Sequence, residues 1–185
     1  MDIMHLELKT RRLILRVPQQ QDFDGFAELF GDEEAARFVG GPLKRAEAWR
    51  KFLQMPGAWL VQGFGMFSVI DRKSGEWLGQ IGPWRPEGWP GPEVGWSFRR
   101  ATWGKGYATE AGEAAMGFAF EQLGWKEVIH SIDPGNVASQ KLAERLGSRN
   151  RGPGQLPAPY EDHPVEIWGQ SRDEWRERRA VQTSS

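Results

Sequence analysis

Hydrophobic and polar positions in the first part of the chain predict a strand followed by an amphipathic helix. Leu13–Val17 is a mainly apolar run of strand length. Phe26, Leu29 and Phe30 then recur at the spacing of one helix face. Asp22 precedes them and belongs to the residue types that favour a helix N-cap. We therefore expect a strand that leads into a helix beginning at Asp22.

The rest of the chain continues this alternation of strand and helix patterns. The first half is predicted to contain a helix over 44–55, then strands over 59–61 and 66–71, or one bent strand, and a strand over 77–82. A loop over 84–92 and a strand over 92–98 follow. The predicted elements of the second half are helices over 106–123, 136–147 and 171–179 and strands over 127–132, 149–152 and 165–169. Hairpin signals beside strand–helix units predict a mixed α/β fold. Residues 1–179 are expected to form one domain, and residues 180–185 a disordered tail.

The loop between the strand over 92–98 and the following Ala-rich helix carries candidate chemistry. It contains Gly104 and Gly106, two glycines separated by one residue. The first backbone N–H groups of a helix have no partner within it, and the helix dipole adds partial positive charge there. Glycine also lets the backbone approach a ligand closely, since it has no Cβ atom. The pattern is typical of a phosphate or pyrophosphate site.

Two other interpretations of this loop remain open from the loop alone. It is also compatible with a tight strand–helix connection that binds nothing. A dinucleotide site of the G-x-G-x-x-G type is a further alternative, although Thr109 stands where that motif requires a third glycine or alanine. The mid-chain position of the loop also argues against a dinucleotide site, which usually lies in the first βαβ unit of a domain.

A second motif lies downstream and makes the phosphate interpretation more specific. The predicted strand over 127–132 ends at Pro134-Gly135, Asn136 is a preferred N-cap, and Gly147 is a preferred residue just after a helix. With the loop at 103–111 and the opening segment 6–16, this motif resembles the GNAT superfamily of acetyl-CoA-dependent N-acetyltransferases. The resemblance is closest to the branch that acetylates ribosomal-protein N-termini. It implies a central mixed, mostly antiparallel twisted sheet flanked by helices.

The resemblance implies that acetyl-CoA is the cosubstrate and that no metal takes part. A backbone N–H near Ser97 or Phe98 would polarise the thioester carbonyl, and Asn136 would bind the pantetheine arm, cap its helix, or do both. Ala101 replaces the glutamine or arginine that usually opens the family loop, so the arginines just upstream are the expected source of positive charge. The expected cofactor-binding residues are Ser97, Phe98, Arg99, Thr102, Trp103, Gly104, Lys105, Gly106, Tyr107, Ala108 and Asn136.

Two catalytic residues are expected, each with a structural alternative. Glu93 heads the strand before the loop and is the candidate base for the amine, or else an ordinary carboxylate at a strand edge. Ala143 stands where many relatives carry a proton-donating tyrosine, while Ser139 matches the serine of the branch resembled. Ser139 would face the departing sulfur, or be an ordinary residue of the first helical turn. If Glu93 is the base, Glu93→Gln is expected to lower kcat/KM most at low pH.

Tryptophan is abundant, and two tryptophans are candidates for the acceptor pocket. The chain has 10 tryptophans, most of them in strand patterns that favour the core. Trp84 and Trp89 instead lie in a Pro- and Gly-rich loop next to Glu93. Loops carry much of the recognition in proteins, and tryptophan is enriched at binding surfaces.

Composition excludes several classes of site. The net charge of −1 gives no reason to expect nucleic acid or an anionic membrane as a partner. The absence of cysteine excludes disulfides, thiolate metal sites and an acyl-cysteine intermediate. Three isolated histidines do not make a zinc site by themselves. Residues 1–5 show no signal-peptide pattern, so the protein is expected in the cytoplasm. It is expected to be a monomer or a homodimer.

The sequence therefore predicts an N-acetyltransferase that acetylates a primary amine, directly from acetyl-CoA in a ternary complex. The amine belongs either to a protein N-terminus or to a small molecule. A non-catalytic acyl-CoA-binding domain and a dinucleotide-binding oxidoreductase are the alternatives.

Overall fold

The computed structural model describes residues 5–183, with side chains described up to residue 181, and shows one eight-stranded sheet with helices on both faces. The strands are β1 (Glu7–Lys9), β2 (Leu13–Arg16), β3 (Phe67–Asp71), β4 (Trp77–Trp84), β5 (Glu93–Phe98), β6 (Glu127–Ile132), β7 (Arg149–Gly154) and β8 (Val165–Ser171). The helices are α1 (Phe23–Gly31), α2 (Glu33–Ala36), α3 (Arg45–Gln62), α4 (Tyr107–Gly117), α5 (Val137–Arg145) and α6 (Arg172–Thr183).

The sheet confirms the mixed and mostly antiparallel arrangement. Its strand order is β1-β2-β3-β4-β5-β6-β8-β7, and β5 and β6 are its parallel pair. All other neighbouring strands run antiparallel. The single parallel step follows from α4, since a helix between two neighbouring strands returns the chain to the same end of the sheet.

Two apolar cores cover the two faces of the sheet. On one face α4 packs through Ala111 and Ala115 against Val94 and Phe98 of β5. On the other face α1 and the first half of α3 bury a cluster of aromatic side chains with Trp77. Because side chains alternate along a strand, β5 contributes Val94, Trp96 and Phe98 to the α4 face and Glu93, Gly95 and Ser97 to the α1 face.

The predicted strand over 59–61 is wrong, because α3 continues through Pro56 to Gln62. Proline inside a helix costs about 3 kcal/mol through the lost hydrogen bond and the clash of its ring. The burial of Trp59 favours continuation of the helix. Its ring lies 4.8 Å from that of Phe67, and its Nε1–H donates to the Met66 carbonyl at 2.8 Å.

Three helix ends also differ from the prediction. Asp22 stands at the start of α1 but does not cap it. Its buried carboxylate instead binds the Arg16 guanidinium and accepts a hydrogen bond from Ser68 Oγ. α4 ends at Gly117 and is followed by a wider helical turn over Phe118–Gln122. α6 continues to Thr183, beyond the predicted helix end at 179, and residues 184–185 of the expected tail lie outside the described part.

Candidate active site

β5 and β6 separate immediately after they meet, and this separation forms the centre of the candidate site. The Ile129 N–H donates to the Pro92 carbonyl at 2.9 Å. In the described part of the chain the two strands share one register pair, Glu93 with Ile129. The next acceptor on β5, the Val94 carbonyl, is bound by the His130 side chain at 2.7 Å instead of by β6 backbone. A V-shaped opening therefore lies between the C-terminal parts of the two strands.

His130 holds this opening as a neutral, buried side chain. Burial lowers its pKa to about 4, so it is uncharged at neutral pH. Because the Val94 carbonyl only accepts, Nδ1 carries the proton, and Nε2 accepts from Ser148 Oγ at 2.9 Å. Gln170 Nε2 donates to the same hydroxyl at 3.0 Å. Ser148 thus completes a buried polar network.

The register of β4 and β5 decides which backbone groups face the opening. The Arg99 N–H donates to the Leu78 carbonyl at 3.0 Å, so by the antiparallel alternation Ser97 and Gln80 also form a hydrogen-bonded pair. The Ser97 N–H therefore faces β4. The N–H groups of Trp96 and Phe98 point the other way, into the opening. From the sequence, the Ser97 N–H was expected to be a donor to the thioester carbonyl, and the Trp96 N–H was missed.

The Gly-x-Gly loop has the backbone conformation of an anion site. Gly104 and Gly106 have φ angles of +73° and +76°, which side-chain-bearing residues rarely adopt. Gly106 is the N-cap of α4, and Glu110 N–H makes the first bond of the helix, to the Gly106 carbonyl. The N–H groups at the first turn of α4 are thus directed out of the helix end.

The arginines expected to supply charge to this loop are held elsewhere. Arg99 binds the carboxylates of Glu28 and Glu76, which occupy both of its terminal nitrogens. Its exposed neighbour Arg100 pairs with Asp32. The expectation that Arg99 contacts the cofactor is therefore not supported by its position.

Arg12 is the cation that lies against the loop. Its Nη1 donates to the Lys105 carbonyl at 2.9 Å, and its Nε pairs with Glu110 at 2.6 Å. Lys105 closes the loop by donating from Nζ to the Ala101 carbonyl at 2.9 Å. Through these bonds Arg12 and Lys105 stabilise the loop backbone in the conformation that its glycines permit.

The side-chain donors of the remaining loop residues are used in hydrogen bonds within the protein. Thr102 is buried, and its hydroxyl donates to the Arg99 carbonyl at 2.7 Å. Trp103 is 48% exposed and donates from Nε1 to the Phe98 carbonyl at 3.0 Å. Tyr107 donates to Asp71, at 3.3 Å. Tyr107 and Ala108 are the first residues of α4, so their N–H groups belong to the anion site.

Asn136 and Ser139 lie on the other side of the opening, at the start of α5. Asn136 Oδ1 accepts from the Ser139 N–H at 3.1 Å, which confirms the helix cap. The Asn136 Nδ2 group has no hydrogen-bond partner within residues 5–181 and is free to bind an amide carbonyl. Ser139 Oγ accepts from Trp96 Nε1 at 3.1 Å, so its own proton is not used in that bond.

A cleft of about 460 Å³ lies on the opposite face of the sheet, between the strands and α1 and α3. Its floor is β4 and β5, and loops over 37–40, 84–89 and 156–165 enclose it. Its volume is in the range of small-molecule sites. Representative lining residues are Phe30, Met55, Trp84, Trp89, Glu93 and Tyr160.

Glu93 is the titratable group at the point where the cleft meets the strand opening. The residue is 7% exposed, and burial raises the pKa of its carboxyl from 4.5 to about 7. Hydrogen bonds from Trp89 Nε1 at 2.6 Å and Ser131 Oγ at 2.8 Å oppose this rise. Both end on Oε2, and the Ser131 backbone N–H also interacts with the carboxyl. Oε1 lies beside Gly95 and receives neither side-chain bond.

The structure brings both candidate acceptor-site tryptophans to the cleft. Trp84 lines it from the end of β4, and Trp89 contacts Glu93 directly. Sequence reasoning missed Gln80 and Lys51, which also line the cleft. A pattern signal for Gln80 was present, because a glutamine inside an otherwise apolar strand requires an explanation.

Two kinds of site are not found in the described part of the chain. Residues 5–183 contain no group of three or more histidine or acidic side chains arranged to hold a metal ion. No helix among these residues has both the length and the apolar composition that a membrane crossing requires.

Comparisons with known proteins agree with the geometry. The family model described as "Acetyltransferase (GNAT) domain" matches residues 12–149. The protein YkkB of Bacillus subtilis is 32% identical over 76% of this chain and 84% of its own length. The p20 protein of Bacillus licheniformis, described as an N-acetyltransferase, is 28% identical over 78% of this chain and 83% of its own. The crystal structure of an acetyltransferase from Agrobacterium tumefaciens C58 superposes with a TM-score of 0.77 at 28% identity, covering 89% of this chain and 94% of that one.

Proposed function

The chain belongs to the GNAT acetyltransferase family, and on that basis we propose that it transfers the acetyl group of acetyl-CoA to a primary amine by direct attack in a ternary complex. The observation that carries the proposal is Glu93, a buried carboxyl with a pKa of about 7 where the acceptor cleft meets the opening between β5 and β6. A base with this pKa changes its charge near neutral pH, where a general base works best.

The residues around the opening fit acetyl-CoA. The first turn of α4 offers N–H groups and the positive end of the helix dipole to a pyrophosphate. The backbone N–H groups of Trp96 and Phe98, and Asn136 Nδ2, are donors to the amide and thioester carbonyls of the pantetheine arm. When bound there, acetyl-CoA supplies an activated acetyl group.

The amine nitrogen loses two protons in the reaction, one to Glu93 and one to solvent. An amine enters from the cleft as an ammonium, loses one proton to Glu93 Oε1, and its nitrogen attacks the thioester carbonyl carbon. The Trp96 N–H stabilises the charge that develops on the carbonyl oxygen. The new C–N bond forms as the C–S bond breaks, and Ser139 protonates the departing sulfur. The second nitrogen proton leaves to solvent, and a proton from solvent restores the Ser139 hydroxyl.

The acceptor amine belongs to a small molecule or to a protein N-terminus, and the protein works as a monomer or homodimer in the cytoplasm. The test of the function is release of free CoA from acetyl-CoA across a panel of small amines and N-terminal peptides. A non-catalytic acyl-CoA-binding domain would bind acetyl-CoA and release no CoA above the hydrolysis background with any amine.

The pH dependence tests Glu93 directly. The pH dependence of kcat/KM reports the ionisations of the free enzyme. The wild-type kcat/KM should therefore rise with pH through an ionisation near pH 7. Glu93→Gln should remove this ionisation and lower kcat/KM most above pH 7, where Glu93 is ionised and can accept a proton. The sequence alone led us to expect the largest loss of kcat/KM in Glu93→Gln at low pH. The raised pKa of Glu93 reverses this expectation. A variant that keeps the wild-type profile would show that another group is the base.

A further inference from the structure

Two polar side chains on the floor of the cleft have no hydrogen-bond partner among the described side chains and backbone of residues 5–181. Gln80 on β4 is 4% exposed, lines the cleft, and within residues 5–181 nothing hydrogen-bonds to its side-chain amide. Its register partner Ser97 on β5 also lines the cleft, and its hydroxyl likewise has no partner in that part of the chain. Neither polar atom of the Gln80 amide is among the fully buried unpaired atoms of the described residues, so the amide is open to the cleft and available to bind a ligand there.

These two side chains are close neighbours on one face of the sheet. Opposed residues of an antiparallel pair have Cβ atoms roughly 5 Å apart. Gln80 and Ser97 therefore form one polar patch with three hydrogen-bond donors, namely the two amide hydrogens and the hydroxyl. The proposed acetyl transfer uses neither side chain, since Ser97 contributes to the strand pairing only through its backbone.

A cation lines the cleft from the helix above the sheet. Lys51 of α3 is half-buried, and its Nζ lies 5.2 Å from the centre of the Phe30 ring. No carboxylate within residues 5–181 pairs with it. The aromatic face attracts the ammonium but leaves its three donors available.

The acidic residues of the cleft are Glu87, Glu93 and Asp133. Glu93 stands four residues from Ser97 along β5, which is roughly 13 Å at the rise of a strand. Glu87 belongs to the loop that follows Trp84, the register partner of Glu93. Asp133 follows β6 across the opening, and its Oδ1 accepts from the Gly135 N–H. Arg37 also lines the cleft, with its guanidinium over the Phe38 ring, which lies beside Gly135. The Glu93 end thus carries three carboxylates together with one cation, whereas Gln80 and Ser97 offer uncharged donors at the other end.

From this arrangement we infer that the acceptor is an elongated small molecule with a primary amine at one end and a carboxylate at the other. Gln80, Ser97 and Lys51 bind the carboxylate, while Glu93 receives the amine. The apolar and aromatic walls of the cleft contact the stem between the two ends. The inference rests on the proposed function and adds the class of acceptor to it.

Four acceptors of one skeleton test this inference: hexylamine, 6-amino-1-hexanol, 1,6-diaminohexane and 6-aminohexanoate. We expect the wild-type kcat/KM to be highest for 6-aminohexanoate, about tenfold or more above hexylamine, because charge-assisted hydrogen bonds are the strong ones. Gln80→Met and Lys51→Met keep the volume of the side chains and should each remove most of this preference. Both should lower kcat/KM for 6-aminohexanoate far more than kcat/KM for hexylamine, and neither should change the KM of acetyl-CoA.

Two controls and a binding measurement make the outcome decisive. Gln62→Met and Lys126→Met change the same residue types at exposed positions outside the cleft and should have no effect. Calorimetry of 6-aminohexanoate with the enzyme–CoA complex measures the subsite without turnover, and binding should weaken about tenfold in Gln80→Met.

The inference is overturned if hexylamine or the diamine is the better acceptor, or if the carboxylate preference persists in both variants. It is also overturned if only N-terminal peptides are acetylated, an outcome that leaves the proposed function intact. No CoA release with any amine would count against the proposed function itself. If, in addition, the wild-type protein does not bind 6-aminohexanoate, the inference is overturned as well. If the wild-type protein binds 6-aminohexanoate and Gln80→Met does not, the carboxylate subsite is supported while the proposed function is not.

Discussion

At the scale of single residues, the site depends on Glu93 being out of water. Removing a carboxylate from solvent disfavours its charged form, and the hydrogen bonds from Trp89 and Ser131 offset only part of this cost. The same cost that destabilises the ionised carboxyl makes it a stronger base than an exposed glutamate. The functional property and the stability of the fold are therefore linked at this residue.

This linkage predicts how stability changes with pH. A group whose pKa rises from 4.5 unfolded to about 7 folded stabilises the fold below pH 4.5, and that stability is lost as pH rises through 7. Glu93→Gln stays neutral, so we expect it to match wild type near pH 4.5 and to be more stable by about 3 kcal/mol at pH 8. Urea unfolding at the two pH values measures this. Equal stabilities at pH 8 would mean that Glu93 is solvated when ionised.

Trp96 is expected to position Ser139 for proton donation. Its Nε1–H occupies a lone pair of Ser139 Oγ and leaves the hydroxyl proton for the departing sulfur. Trp96→Phe keeps the aromatic contact with His130 and should lower kcat without changing the KM of acetyl-CoA. Ser139→Ala should lower kcat by about 10- to 10⁴-fold, up to the range of general acid catalysis. Trp96→Phe should add no further loss in the Ser139→Ala background.

The control is Trp168→Phe. Trp168 belongs to the same cluster, but its Nε1–H has no hydrogen-bond partner in the described structure, so its removal breaks no bond. An equal loss of kcat in Trp96→Phe and Trp168→Phe would show that both tryptophans act only through packing. A loss that simply adds to that of Ser139→Ala would show that the Trp96–Ser139 bond has no catalytic role.

At the scale of elements, the site is assembled where regular structure ends. The Gly-x-Gly loop directs the first turn of α4 outward, Asn136 caps α5, and His130 prevents β6 from completing its pairing with β5. The Gly-x-Gly loop and His130 leave backbone donors unpaired among the described residues, and the Asn136 cap leaves the side-chain Nδ2 group unpaired there. These donors face the same opening. The element boundaries thus provide the binding groups, whereas the element interiors form the core.

The loop conformation predicts a selective loss of CoA binding. Gly106→Val places a β-branched residue at φ +76°, which is strained, and its side chain crowds the anion site. We expect the variant to fold and to lose most of the rise in melting temperature that CoA causes in wild type. Gly124→Val is the matched control, with φ +69° and nothing within 4 Å of the added Cβ. Unchanged CoA stabilisation in Gly106→Val would contradict the pyrophosphate assignment.

At the scale of the whole molecule, the proposed mechanism has the two substrates approach from different sides of β5. The cofactor elements are α4 and α5 and the opening beside β6, whereas the acceptor cleft lies under α1 and α3. Glu93 lies at the boundary between them. An arrangement with two separate approaches permits both substrates to be bound together, and it needs no acetylated form of the protein.

Kinetics test this arrangement. Initial-rate plots against acetyl-CoA at several fixed amine concentrations should intersect, as a ternary complex requires. Intact-protein mass measured after incubation with acetyl-CoA alone should show no added acetyl group. Parallel lines together with an acetylated protein would show a covalent intermediate, for which the chain offers no cysteine.

The amino-acid sequence alone predicted the features that depend on neighbouring residues. The Gly-x-Gly turn, the first turn of α4, the Asn136 cap and the mixed sheet follow from local backbone preferences and hydrophobic period, so they were confirmed. Glu93 was also identified from its place before the loop, though its role as base stays a prediction. The family resemblance was confirmed because it rests on these local motifs.

Contacts between distant segments decided the rest. Arg99 was expected to bind the cofactor, but its guanidinium binds Glu28, which lies 71 residues away in the chain. The pKa of Glu93, the Trp96–Ser139 bond across 43 residues and the burial of Gln80 likewise depend on packing. The continuation of α3 through Pro56 has the same origin. Burial and hydrogen bonding between distant segments are set by the packed chain as a whole, and so local pattern does not determine them.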